Sequence, residues 1–283
     1  VLVPNLRGAE RAMESRADEL NLVMSTSETH NLANLRMTRA DSLAALTEVI
    51  KHVDGRTPIN VSLSTCFGCP MEGDVPLAVV QHFAQRFADL GVRGLTICDT
   101  TGMAHPAQVS RMVALLQTQL PHTQLTLHFH NTRGMGLANV LAAVEGGITR
   151  FDGSLGGLGG CPYAPGASGN ICSEDAIHML DAMGYDTGID LDRLLGVARQ
   201  MPEIVGHDVP GQVAKARELI EHYQGKVKPI LVGGSYLDLM KRWNKPVFYD
   251  QDGTLVRKFG IAAVPAIVSQ EGQRLRIDEV PVR

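Results

Sequence analysis

The chain has 283 residues, of which 44% are hydrophobic, with 26 basic and 30 acidic side chains and a formal charge of -4. This size and apolar content predict one or two globular domains with a real core and exclude a disordered chain. The slightly acidic balance offers no basic surface for nucleic acid, so we expect no nucleic-acid partner.

No stretch of the sequence approaches about 18 consecutive apolar residues, and the first residues lack the basic and apolar regions of a secretory signal. We therefore expect no membrane span and a cytoplasmic location. The five cysteines are odd in number and widely spaced in a chain too long to need disulfide staples. This cysteine usage also fits a reducing compartment.

Short apolar or β-branched runs alternate with longer segments of helical periodicity, which indicates parallel βα units. Six runs are predicted strands: Val1–Val3, Leu22–Met24, Ile59–Leu63, Leu95–Cys98, Leu125–Phe129 and Thr149–Phe151. For the helix after the third strand, Asp74 is the expected N-cap, Pro76 lies in the first turn and Gly91 is the expected C-cap. The pattern predicts an α/β fold, either a barrel or a doubly wound sheet.

The pattern changes around residues 225–229, after which the chain carries its own short strands, a helix, an Asp-Gly turn and a closing hairpin. A closed barrel needs eight βα units, and Val1 begins directly on a predicted strand, so we expect a missing front end. We therefore divide the chain into residues 1–226, an incomplete (β/α)8 TIM barrel, and residues 227–283, a small α+β unit.

His128 and His130 stand at the end of one predicted strand and form a candidate metal site. The period of two in a strand places both imidazoles on one face, and the carboxyl ends of parallel strands form the ligand-binding face of a barrel. Imidazole binds several divalent metals, whereas additional oxygen ligands favour Mg²⁺ or Mn²⁺. Two histidines of the core or surface are the alternative interpretation.

A glycine-rich loop from Gly153 to Asn170 follows the last predicted strand and displays a thiol at Cys161 and an amide at its end. Glycine supplies the backbone freedom that active-site lids require. A thiol can donate or accept a proton, so Cys161 is a candidate general acid or base. An incidental cysteine on a flexible turn is the alternative.

Asp99 ends another predicted strand and would point a carboxylate at the same rim, where it could orient a hydroxyl or a bound water. An N-cap for the helix after Gly102 explains it equally well. Cys66 and Cys69 form a C-x-x-C pair without a second pair or a nearby histidine, so neither zinc binding nor redox chemistry is favoured. Three polar rim residues could contact substrate or solvent: Asn31, Asn34 and Arg36.

Five motifs of residues 1 to about 226 occur in the order found in 3-hydroxy-3-methylglutaryl-CoA lyases, and this part of the chain resembles that family. The motifs are Val3-Pro4-Asn5, Gly68-Cys69-Pro70-Met71-Glu72-Gly73, Asp99-Thr100-Thr101-Gly102, His128-Phe129-His130 and Gly156-Gly157-Leu158-Gly159-Gly160-Cys161-Pro162-Tyr163-Ala164. The glycine loop with its cysteine distinguishes this family from related barrels that condense acyl-CoA with keto acids. A synthase of that kind remains an alternative.

The resemblance implies retro-Claisen cleavage of 3-hydroxy-3-methylglutaryl-CoA, or of a related 3-hydroxyacyl-CoA, to acetyl-CoA and a keto acid such as acetoacetate. It implies that His128, His130 and Asn170 ligate a divalent metal, Mg²⁺ or Mn²⁺. Cys161 would protonate the carbanion once the loop closes, and Asp99 would lie near the reacting hydroxyl. The small-molecule acyl-CoA is thus the expected partner, and a homo-oligomer is possible.

Substrate contacts are expected from Asn131, Arg133 and Gly160. Asn131 and Arg133 stand where the resemblance leads us to expect the aspartate and tyrosine of 3-hydroxy-3-methylglutaryl-CoA lyase. A related branched 3-hydroxyacyl-CoA is therefore an alternative substrate. The family's first strand carries an arginine-aspartate pair that nothing before Val1 supplies, and we therefore expect weak metal binding by the chain as given.

The final segment resembles the end of a TraW-type conjugal-transfer assembly protein, a thioredoxin-like unit without a C-x-x-C pair. The matching segments are Ile230–Val232, Tyr236–Trp243, Val247–Gly253 and Phe259–Ala266. This second resemblance implies an envelope-channel partner, and hence a non-catalytic assembly role as an alternative to catalysis.

Overall fold

A computed structural model describes residues 1–160, 169–207, 209, 211–214, 230–231, 248–249, 254–261, 266–271 and 274–279. The chain forms two compact units, Val1–Ser173 and Glu174–Arg283. The predicted junction between residues 226 and 227 lies outside the described residues and stays a prediction. Among the described residues, no helix is long and apolar enough to cross a membrane.

The first unit alternates helices and strands. Its helices are α1 (Leu6–Glu14), α2 (Glu28–Leu35), α3 (Arg39–Val53), α4 (Leu77–Asp89), α5 (Pro106–Gln119) and α6 (Gly136–Glu145). Its strands are β1 (Leu20–Ser25), β2 (Ile59–Ser64), β3 (Gly94–Asp99), β4 (Gln124–Phe129) and β5 (Phe151–Asp152), and a short 3₁₀ helix spans Leu155–Gly157.

The second unit begins with three helices and includes short paired strands. The helices are α7 (Ser173–Ala182), α8 (Leu191–Ala198), α9 (Met201–Val205) and α10 (Thr254–Phe259). The strands are β6 (Ile230–Leu231), β7 (Phe248–Tyr249), β8 (Ala266–Glu271) and β9 (Arg274–Glu279). Strands β6 and β7 pair in parallel, whereas β8 and β9 form the closing antiparallel hairpin that the sequence predicts.

Strands β1 to β5 form one parallel sheet in sequential order, with at least one helix between each pair of neighbours. This arrangement confirms the predicted α/β barrel-type fold. The predicted strand Val1–Val3 is reduced to an isolated parallel bridge between Leu2 and Asn21, with backbone bonds from Val3 N to Asn21 O and from Asn21 N to Val1 O. The amino terminus of Val1 also donates to Glu19 O. The predicted strand Thr149–Phe151 is shifted, since β5 begins at Phe151.

The two faces of the sheet differ in chemistry, as period-two strands allow. One face is apolar and buried beneath the helices, and it includes Leu22, Leu63 and Ile97, each with no exposed surface. The other face is polar and carries a side-chain ladder across three strands. In that ladder Asn60 Nδ2 donates to Asn21 Oδ1 at 2.8 Å and to Thr96 Oγ1 at 2.9 Å.

Both ends of α4 differ from the expectation, the carboxyl end by one residue. The N-cap is Pro76, which has an extended backbone and no side-chain cap, so the predicted N-cap at Asp74 is wrong. The helix ends at the C-cap Leu90, and Gly91 follows in the left-handed conformation with φ of 77°. Glycine adopts that conformation without a Cβ clash, which explains why the helix stops there.

The sequence predicts Asn31 at the rim as a substrate or solvent contact, and the structure contradicts this because the residue has no exposed surface. Its Oδ1 accepts a hydrogen bond from the Ser25 backbone N–H at 2.9 Å. Its Nδ2 donates to Met37 O and to Ser42 Oγ, both at 2.8 Å. Asn31 therefore ties the end of β1 to the connection between α2 and α3.

We predict that Asn31→Ala lowers the free energy of unfolding by about 3 kcal/mol, because it leaves buried polar groups of Ser25 and Ser42 without partners. Urea denaturation of the two proteins measures this difference. The control is Glu48→Ala, which removes an exposed side chain from α3 and should change stability by less than about 0.5 kcal/mol. Equal effects of the two substitutions would contradict the structural role of Asn31.

Candidate active site

The two histidines lie side by side at the carboxyl end of β4. His128 is within the strand and His130 follows it directly, so the period of two places both rings on one face. Their ring centroids are 5.1 Å apart and their planes are inclined by 67°. This spacing allows one nitrogen of each ring to approach a common ion.

His128 is held by a carboxylate on the neighbouring strand. In the β4–β5 register His128 is paired with Asp152, and the two side chains form a hydrogen bond between Nδ1 and Oδ1. The sequence offers no motif that marks Asp152. Only the parallel register between the two strands identifies it, because register decides which residues of neighbouring strands stand together.

His130 is nearly buried, and its Nδ1 has no hydrogen-bond partner. Burial lowers the pKa of its imidazole to about 4, and the neighbouring His128 acts in the same direction, whereas Asp152 opposes it. His130 is therefore neutral at physiological pH. Neutral imidazole is the form that binds metal ions.

Asn170 comes back to the same place from the far end of the glycine loop. It forms an isolated antiparallel bridge with His130, supported by a backbone bond from Ile171 N to Phe129 O at 3.0 Å. Its Nδ2 donates to Leu158 O at 2.8 Å, while its buried Oδ1 has no partner. The loop thus occupies the amide nitrogen and leaves the amide oxygen available as a ligand.

Glycine is required at position 159 for this arrangement. Gly159 has φ of 111°, and a Cβ there would lie 2.6 Å from Asn170 Nδ2. Because glycine has no Cβ, the loop backbone can pass close to the Asn170 amide. Gly160 is exposed at the end of this described stretch, and Cys161 lies outside the described residues.

Asp99 ends β3 and is almost fully buried. Its Oδ1 accepts hydrogen bonds from the backbone N–H groups of Met103 at 2.7 Å and Ala104 at 3.1 Å, while Oδ2 has no partner. The alternative interpretation as an N-cap is wrong, because α5 begins at Pro106 with His105 in the N-cap position.

The pKa of the Asp99 carboxyl is raised to about 6, and burial is the main cause. The two backbone hydrogen bonds and the charges of His128 and Arg133 act in the opposite direction. Such a carboxylate is ionised at neutral pH but holds a proton more readily than an exposed aspartate. This property suits a group that accepts a proton and later returns it.

Arg133 and Asn131 lie on the turn after His130, and both are exposed. Arg133 Nη1 donates to Thr101 O at 2.9 Å, which brings the guanidinium to the loop after β3. Asn131 Oδ1 accepts from Gly136 N at 2.9 Å and so supports the start of α6. The Arg133 guanidinium has several N–H donors, so it can bind a ligand while Nη1 keeps its hydrogen bond to Thr101 O.

The cysteine pair of the C-x-x-C motif is structural. Cys66 Sγ donates to Leu63 O at 3.0 Å, and Cys69 Sγ accepts from Ser27 Oγ at 3.1 Å. Both thiols are buried, and burial raises the pKa of Cys66 to about 12. A thiol of this kind stays protonated and unreactive.

The rim offers nitrogen and oxygen donors that a metal ion could use. The described residues contain no group of three or more His, Cys, Asp or Glu side chains placed to hold one. They do bring together two imidazoles and an amide oxygen, of which His130 Nδ1 and Asn170 Oδ1 are buried and unpartnered. Such a mixed nitrogen and oxygen set fits a divalent cation whose other positions are filled by water or substrate.

Two known enzymes illustrate the similarity of the sequence to other proteins. The chain is 43% identical over 212 residues to a hydroxymethylglutaryl-CoA lyase of Bacillus subtilis, covering 75% of this chain and 71% of that enzyme. It is 40% identical over 217 residues to an (R)-citramalyl-CoA lyase of Chloroflexus aurantiacus, covering 76% and 68% of the two chains.

A solved structure shows the same similarity in three dimensions. It is an HMG-CoA lyase from Acinetobacter baumannii in complex with coenzyme A and 3-methylmalate, with a TM-score of 0.74 and 54% identity. The match covers 76% of this chain and 70% of that one. The sequence model of the HMGL-like family matches residues 1–201, which confirms the resemblance predicted for this part of the chain. The chain therefore belongs to the HMGL-like family.

Proposed function

We propose that this protein cleaves 3-hydroxy-3-methylglutaryl-CoA to acetyl-CoA and acetoacetate in a reaction that depends on a divalent metal, Mg²⁺ or Mn²⁺. One observation carries the proposal: His128, His130 and Asn170 meet at one rim of the sheet, where His130 Nδ1 and Asn170 Oδ1 are buried without partners. Relatives named as lyases of this substrate support it.

His128, His130 and Asn170 would hold the metal through two imidazole nitrogens and an amide oxygen. A divalent cation bound there supplies Lewis acid stabilisation of charge that develops on the substrate oxygens. Because the His130 imidazole is neutral, it needs no deprotonation before it binds. Gly160, on the loop that leads to Asn170, would contact the substrate through its backbone.

Asp99 would accept the proton of the tertiary hydroxyl through Oδ2, which has no partner in the protein. As that O–H bond breaks, the hydroxyl carbon becomes a ketone and the C2–C3 bond breaks with its electrons retained on C2. The Cys161 thiol would then donate a proton to C2 and complete acetyl-CoA. The oxygen that becomes the ketone leaves in acetoacetate. Asp99 gains one proton and Cys161 loses one, so atoms and charge balance, and proton exchange with solvent would restore both groups.

A related substrate is favoured by one feature of the rim. Asn131 and Arg133 stand where 3-hydroxy-3-methylglutaryl-CoA lyases are expected to have aspartate and tyrosine, respectively. Arg133 places an exposed guanidinium beside the loop after β3. Guanidinium binds carboxylates in a bidentate manner. A 3-hydroxyacyl-CoA with a carboxylate directly on the hydroxyl carbon, such as (R)-citramalyl-CoA, is therefore the second candidate substrate.

The proposal is tested by incubating the purified full chain with each of these acyl-CoA thioesters and Mg²⁺ or Mn²⁺, and by measuring the acyl-CoA products. Release of acetyl-CoA together with a keto acid supports a lyase. Consumption of acetyl-CoA with added keto acid indicates the synthase alternative. If neither reaction occurs with any of these substrates, the catalytic proposal is wrong.

His130→Ala should abolish the dependence of activity and of thermal stability on added Mg²⁺ or Mn²⁺, because it removes one of the two imidazole ligands. The melting temperature measured at increasing metal concentration provides a readout that does not require turnover. His122→Ala is the matched control, since this exposed imidazole precedes β4 at the other end of the strand. An unchanged metal response in His130→Ala would refute the ligand assignment.

Cys161→Ser should slow turnover by roughly 100-fold or more, because a hydroxyl is a much weaker acid than a thiol. It should leave the metal-induced rise in melting temperature unchanged, since Cys161 is not among the proposed ligands. Cys172→Ser, which alters a buried thiol eleven positions later in the sequence, is the control for general effects of sulfur removal. Loss of metal binding in Cys161→Ser would contradict the proposed role in proton transfer.

The alternative assembly role of residues 227–283 and an envelope-channel partner remain predictions from the TraW-type resemblance. Capture of envelope channel proteins by the full chain, lost when this segment is deleted, would support them. The cytoplasmic location expected from the sequence belongs with the lyase proposal and is testable by cell fractionation.

A further inference from the structure

Asp152 is a charged residue of the rim to which the proposed reaction assigns no role. It lies on β5, and the parallel register pairs Leu127 with Phe151 and His128 with Asp152. Paired residues of neighbouring strands project from the same face of a sheet. The backbone therefore places the carboxylate beside the His128 ring.

The hydrogen bond between His128 Nδ1 and Asp152 Oδ1 has a direct chemical consequence. An ionised carboxylate is only an acceptor, so Nδ1 must carry the proton. In the neutral ring, the lone pair is then on Nε2. Asp152 consequently selects which nitrogen of His128 is available to a ligand.

We propose that Asp152 is a positioning residue that fixes the tautomer and the ring orientation of His128, so that Nε2 is presented to the bound metal. The inference rests on the proposed function and extends it to a residue outside the ligand set. A carboxylate that accepts from the second ring nitrogen is a recurrent partner of metal-binding histidines.

Two observations distinguish this role from others that a carboxylate could have. The described residues contain no group of three or more His, Cys, Asp or Glu side chains placed around one metal, and Asp152 Oδ1 is already engaged by His128 Nδ1. The Asp152 side chain is 54% exposed, and an exposed ion pair contributes little to stability. A substitution there should leave the fold intact.

The ring geometry supports a need for such a partner. His130 is held by burial and by the backbone bridge to Asn170, whereas the His128 side chain is more exposed, at 22%. Without Asp152, rotation of the His128 ring would be opposed by fewer contacts. The carboxylate therefore acts on the less constrained of the two imidazoles.

The test compares the full chain with Asp152→Asn, Asp152→Ala and the control Asp18→Ala. Asp18 is exposed before β1, at the opposite end of the strands, so its removal makes the same change in charge. Mn²⁺ affinity, measured by electron paramagnetic resonance of the free ion, should fall roughly 10- to 100-fold in Asp152→Ala. Asp152→Asn keeps an acceptor oxygen and should lose less, while Asp18→Ala should match the original protein.

Nitrogen-15 NMR of the histidine rings above pH 8 provides a readout that does not depend on metal or catalysis. His128 should be protonated at Nδ1 in the original chain and in Asp18→Ala, and should shift toward protonation at Nε2 in Asp152→Ala. If the lyase proposal fails, this tautomer shift still supports the positioning role. The same tautomer in Asp152→Ala and the original chain, or equal Mn²⁺ affinities in a chain that binds Mn²⁺, would overturn the inference.

Discussion

The register of the parallel strands is the constraint on which the candidate site depends. It places Cys98 beside His128 and His128 beside Asp152, so that three neighbouring strands present aligned side chains at one rim. A slip of one residue in β4 would turn both imidazoles to the apolar face beneath the helices. The hydrophobic pattern of that face therefore protects the geometry of the site, because a slipped strand would bury its polar residues.

The polar face of the sheet shows how such a site is tolerated. Its side chains satisfy one another, as in the ladder that joins Asn21, Asn60 and Thr96. At the carboxyl ends of the strands these side-chain hydrogen bonds are incomplete. Buried atoms there that have no hydrogen-bond partner include Asp99 Oδ2, His130 Nδ1 and Asn170 Oδ1. Buried polar atoms of this kind are costly unless a ligand completes them. Two of these atoms belong to His130 and Asn170, which a backbone bridge joins, and this pairing is a physical argument for binding there.

Most of the sheet could be predicted from the sequence, because β-branched and apolar runs at regular spacing identify β1 to β4 directly. The pairing of the two histidines on one face also follows from the period of a strand. The role of Asn170 as a metal ligand is implied only by the family resemblance, since no local pattern links it to a histidine forty residues earlier. Its place became clear from the backbone bridge to His130.

The errors have equally specific causes. Asn31 is a polar residue shortly after a strand, as rim residues often are, but its side-chain amide makes three hydrogen bonds inside the protein. The run Val1–Val3 has strand character, yet it forms only a bridge to Asn21. Asp152 was missed because register between strands is a tertiary property that a single strand's sequence does not specify. The sequence therefore identifies the chemical groups, whereas the tertiary partners of each group become visible only in the structure.

The most direct test of the central claim is pulsed electron paramagnetic resonance of the chain loaded with Mn²⁺, which detects the nitrogen nuclei bound to the ion. The site described here predicts modulation from two imidazole nitrogens, contributed by His128 and His130. A spectrum without histidine nitrogen coupling at saturating Mn²⁺ would contradict the claim that these two rings bind one metal.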